Sequence, residues 1–92
     1  MSFSIWLKQI LFSYGITQRT CAQEISEHES IISLWAKGRR YPNVIQVSKL
    51  AEFLAQYVDI RGYEDERRAL IITMVEMISI DIKREEQIHA VL

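Results

Sequence analysis

Two glycines and the hydroxyl and amide side chains set between them constrain this chain more than any other feature. The stretch from Gly15 to Pro42 reads GITQRTCAQEISEHESIISLWAKGRRYP. Gly15, with no Cβ, enters the left-handed conformation cheaply and lets the last carbonyls of a preceding helix be capped. Thr17 can then turn its hydroxyl onto the first backbone N–H groups of a new helix. Cys21, Ala22 and Ile25 follow at helical spacing, so a helix of about two turns is expected from Gln18 to Ile25. The next residues, Ser26 to Ser30, are polar, and Ser26 with Glu29 has the form of a capping box. A third helix follows, carries Ile32 and Trp35 inward, and stops at Gly38. Past Arg39, Arg40, Tyr41 and Pro42, the pair Asn43 and Gln46 opens a fourth helix from Val44 to about Tyr57.

The flanks fit the same scheme. Phe3, Trp6, Leu7, Ile10, Leu11 and Tyr14 recur at spacings of three and four, one apolar stripe on a first helix opened by Ser2 or Ser4. Val44, Val47, Leu50, Ala51, Phe53 and Leu54 repeat the pattern on the fourth. The sequence is 49% apolar, enough for one small core. With short loops, no strong hairpin signal and no internal repeat, the expected fold is all-α, a compact bundle of four to five short helices with a helix-turn-helix.

Over roughly Leu7 to Leu54 the chain resembles the Cro and phage-repressor type of helix-turn-helix protein, the XRE family, with no residue inserted or deleted. The resemblance rests on Gly15-Ile16-Thr17-Gln18, on Ala22 where the two motif helices approach closely, and on Ile32-Ser33. The run Trp35-Ala36-Lys37-Gly38-Arg39-Arg40-Tyr41-Pro42 and Leu50-Ala51 add to it. The chain departs from the pattern in the turn, where Ser26, Glu27 and His28 stand in place of Gly, an apolar residue and Ser or Thr. The resemblance implies a DNA-binding regulator without a cofactor. It assigns the groove-facing positions to Glu29, Ser30, Ser33, Leu34 and Lys37, with Ile31 nearby.

Those residue types can read bases in limited ways. Glu29 can accept from a cytosine amino group, Ser30 and Ser33 can bond to several base edges, and Ile31 and Leu34 can pack on a thymine methyl. None supplies a bidentate arginine contact to guanine. Affinity then leans on phosphate contacts, for which Thr17, Gln18, Arg19, Lys37, Arg39 and Arg40 are the candidates by resemblance and charge. Each residue has a plainer reading too. Glu29 can be a solvated or capping carboxylate, and Arg39 and Arg40 a hydrated loop. His28 can be an exposed polar residue, while Trp35 and Cys21 read as core.

Charge is polarised along the chain. The net charge is −1, from 11 basic and 12 acidic residues, too little for a nonspecific DNA coater. Residues 1–57 hold six basic against four acidic side chains, and residues 58–92 hold five against eight. The expected division is a helix-turn-helix DNA-binding domain over 1–57 and a helical segment for dimerisation or partner binding over 58–92. After a turn at Asp59-Ile60-Arg61-Gly62, the acids Glu64, Asp65 and Glu66 favour a helix N-terminus near Tyr63 or Glu64. Along it Leu70, Ile71, Met74, Val75, Met77, Ile78 and Ile82 make a broad apolar stripe. The alternation of Ile78, Ile80 and Ile82 also permits a short strand. A homodimer through Arg67 to Ile82 is expected, with Ile71, Met74, Val75, Ile78 and Ile82 at the interface. The competing expectation is that this helix folds back onto its own domain.

Other classes find little support. One apolar-site Cys gives no internal disulfide and fits a reducing, cytoplasmic compartment. Two distant His residues give no zinc spacing, and there is no phosphate loop or nucleophile-base pattern, so no metal, no cofactor and no enzymatic role are expected. Glu76 and Asp81 interrupt the longest apolar run, and no leader opens the sequence, so neither a membrane partner nor export is expected. Three functions remain. The first is a repressor binding a palindromic operator on double-stranded DNA. The second is an antitoxin-like autoregulator whose C-terminal segment binds a toxin or another regulator. The third is a helix-turn-helix acting only as a protein interaction module.

Overall fold

Three successive helices end by the same device. α1 (Phe3–Ser13), α2 (Gln18–Glu24) and α3 (Glu29–Ala36) are each followed by a left-handed residue, Gly15 (φ 65°), Ser26 (φ 57°) and Gly38 (φ 71°). In each case the next residue's N–H reaches back to the helix: Ile16 to Leu11 O (2.8 Å), Glu27 to Ala22 O (2.9 Å) and Arg39 to Leu34 O (3.0 Å). These bonds satisfy carbonyls that a helix end otherwise leaves orphaned. Ser26 therefore closes α2 instead of opening α3. The expected Ser26–Glu29 capping box does not form: Glu29 already lies in α3, whose N-cap is His28 with no side-chain bond.

The starts are capped largely as the sequence implies. Thr17 Oγ1 accepts from the Thr20 N–H at 3.0 Å. Asn43 and Gln46 form a reciprocal capping box on α4 (Val44–Leu54), with bonds of 2.8 and 2.9 Å. α4 is shorter than expected, because past Leu54 the chain tightens into bonds such as Tyr57 N–H to Leu54 O, three residues back. Ser2 caps α1.

The chain is described in this computed structural model over residues 2–57 and 63–91, with side chains to Ile88. The turn expected at 59–62 lies outside the described residues. From Tyr63 to Val91 runs α5, 29 residues, about 43 Å at the helical rise. It is helix through Ile78, Ile80 and Ile82, and no strand occurs among the described residues. The fold is all-α, as expected, but its last helix is long.

One core joins all five helices. Phe3, Leu7 and Leu11 of α1 meet Ile32 and Trp35 of α3, Leu50, Phe53 and Leu54 of α4, and Leu70, Met74 and Ile78 of α5. The division at residue 57 is thus not a division of the core. Met74 is fully buried and Ile78 nearly so, which corrects their expected place at a dimer interface: both are consumed by the chain's own packing, because α5 lies along α4 and α1. Tyr14, expected on the inward stripe of α1, is partly exposed and packs at a tilt against Tyr57, with ring centroids 5.7 Å apart.

Polar bonds pin α5 in place. Asp81, nearly buried, accepts the Phe3 N–H at 2.9 Å, so a carboxylate of the last helix sits on the positive end of the first. Four residues on, Glu85 accepts the Tyr41 hydroxyl at 2.9 Å.

Candidate nucleic-acid interface

α2 and α3 pack on each other and are joined by Ile25–His28, two short helices around a tight turn. Their shared interior is Cys21, Ala22, Ile25, Ile32, Trp35 and Ala36, all buried. Ala22 has the small side chain such an approach needs. Because α3 spends Ile32, Trp35 and Ala36 on the core, its opposite side presents Glu29, Ser30, Ser33 and Lys37.

Exposure sorts the expected readers. Glu29 and Ser30 are exposed at the start of α3, and Lys37 is exposed at its C-cap. Ser33 and Leu34 are half-buried. Ile31 is also half-buried and packs against the core, so part of its surface is already committed inside the chain. The free reading surface is therefore narrower than expected and more polar.

The phosphate candidates fall in two places. Thr17, Gln18 and Arg19 stand at the N-terminus of α2, where Gln18 is half-buried and Arg19 exposed. Lys37, Arg39 and Arg40 follow α3, all exposed. Gly38 holds that second group at its turn, with Ser4 Oγ of α1 3.4 Å from where a Cβ would stand.

Two long-range bonds, absent from any local sequence pattern, fix the surroundings. Gln46 Nε2 donates to Glu27 Oε1 at 3.1 Å, tying the motif turn to the start of α4. The Tyr41–Glu85 bond anchors the loop that carries Arg39 and Arg40 to α5. Burial, with Glu85 and then Asp81 nearby, pushes the Tyr41 phenol up to about 12, so the hydroxyl keeps its proton and keeps donating through the alkaline range in which an exposed tyrosine ionises. Cys21 is inert for the same first reason, its thiol raised to about 11 by burial. Among the described residues no group of His, Cys, Asp and Glu is placed to hold a metal ion. No helix among them is long and apolar enough to cross a membrane.

Comparison of the chain with family models, curated proteins and solved structures finds no match. A short helix with exposed polar residues and three exposed cations just past its C-terminal end has the residue types that contact base edges and phosphates.

Proposed function

We propose that this protein is a sequence-specific DNA-binding regulator, a repressor that reads a palindromic operator as a homodimer. The observation that carries the reading is α3 itself. It is held from behind by Ile32, Trp35 and Ala36, turns Ser30, Ser33 and Lys37 outward, and leads directly into Arg39 and Arg40. Lys37, Arg39 and Arg40 serve the phosphates on one side and the α2 N-terminus with Arg19 on the other. Glu29, Ser30 and Ser33 meet base edges, and Leu34 offers its half-exposed side chain to a thymine methyl.

Such a surface gives modest affinity per copy. A homodimer doubles the contact, and so multiplies the affinity, by placing two α3 helices in successive major grooves, about 34 Å apart. The experiment that tests the reading is selection of bound duplexes from a random pool, then a salt titration on the winner. An enriched palindrome whose affinity falls steeply with salt is expected. No enrichment would leave protein recognition as the use of this fold.

A further inference from the structure

The side of α5 turned away from the core carries Arg68, Ile72, Val75, Ser79, Ile82 and Glu86. Their spacing alternates between four and three, so they form a single seam along the helix. All six are exposed, and the three aliphatic residues are 52%, 47% and 39% accessible. Beside the seam lies an apolar groove of about 320 Å³, lined by Pro42, Val44, Val47, Ile71, Val75 and Ile78 among others, with no charged side chain in its lining. Val44 stands 84% exposed within it. This is far more aliphatic surface than a face meant only for water requires.

The order of residues along the seam says what covers it. Read forward it is basic, aliphatic, aliphatic, small, aliphatic, acidic. Set end for end against itself about the level of Met77, Arg68 falls opposite Glu86, Ile72 opposite Ile82, and Val75 opposite Ser79. The parallel arrangement would put Arg68 on Arg68 and Glu86 on Glu86, with like charges in contact. Among the described residues neither Arg68 nor Glu86 has an ion-pair partner in its own chain. The uncharged groove beside the seam meets its own copy without repulsion.

We propose that a second copy of this chain covers this face, in an antiparallel α5 pair about a two-fold axis at the level of Met77. The seam from Arg68 to Glu86 spans about 27 Å, long enough to set one register. The pair supplies the two-fold relation on which the operator reading rests, and Ile71, Val75 and Ile82 take the interface role that the fully buried Met74 cannot.

The test is sedimentation equilibrium of the protein without DNA. A dimer is expected, which Arg68→Glu or Glu86→Arg alone weakens by about tenfold or more and which the double reversal restores. Val75→Asp is expected to give a monomer with unchanged helicity by circular dichroism, since that side chain is not in the core. A dissociation constant weaker than about 100 µM would overturn the proposal. So would a dimer indifferent to Val75→Asp, or single charge reversals that the double variant fails to rescue, either of which would point to another face or register. A dimer of this kind that binds no DNA would sink the operator reading and leave the pair standing. Tight binding to one DNA sequence by a chain that never pairs would overturn the pair and leave sequence-specific DNA binding standing without the two-fold.

Discussion

Among the described residues Ser26 carries the clearest backbone strain. It holds a left-handed backbone at the end of α2, the place that Gly15 and Gly38 fill at α1 and α3. A side chain in that conformation costs about 1 kcal/mol or more relative to glycine. Ser26→Gly is therefore expected to stabilise the fold by roughly 1 kcal/mol, less the entropy that glycine adds to the unfolded chain, read as a raised midpoint in urea. Cys21 offers a second check. Its thiol titrates near 9 when exposed and near 11 in the fold, so the folded chain holds that proton longer. Its contribution to stability is complete below pH 9 and declines as pH rises to about 11. A thiol-alkylating reagent should leave Cys21 unmodified at neutral pH until denaturant is added. Glycine stops and hydroxyl caps could be read from the sequence because they act within five residues. Ser26 was misread because a serine both opens and closes helices, and only the backbone angle distinguishes the two.

At the scale of the element, the proposed DNA reading predicts that α3 separates affinity from selectivity. Lys37→Ala and Arg40→Ala should each weaken binding to every duplex and lower the salt slope by about one, whereas Ser33→Ala and Glu29→Ala should change which sequence is preferred. Fluorescence anisotropy on the selected operator and on scrambled DNA distinguishes the two, and unchanged affinities throughout would remove this face from consideration. Most of α3 was legible, since its buried and outward residues follow from period alone. The partial burial of Ile31 was not, because it depends on which neighbours surround the helix. α5 was half legible: its apolar breadth showed, but how Met74 and Val75 divide between core and solvent depends on where α4 and α1 lie against it.

For the whole molecule, the decisive fact is that the α2–α3 pair and α5 share one interior. Ending the chain at Tyr57 removes Leu70, Met74 and Ile78 from that interior, so the remaining piece should lack a cooperative thermal transition. Met74→Ala, at a fully buried site, should cost about 2–5 kcal/mol. That is a large part of the stability of a domain this size. Asp81→Ala should cost about 1–3 kcal/mol by leaving the Phe3 N–H without its acceptor, while Asp81→Asn, which keeps an oxygen there, should cost less. Chemical denaturation of the three variants ranks them.

The Asp81–Phe3 bond also sets a clock. Its two residues are 78 positions apart, so a ribosome making about 5–20 residues per second delivers Phe3 roughly 4–16 s before the carboxylate that completes its helix. The amide that opens α1 therefore gains its carboxylate acceptor only once α5 has been made through Asp81, so an early helix is tied down by a late one.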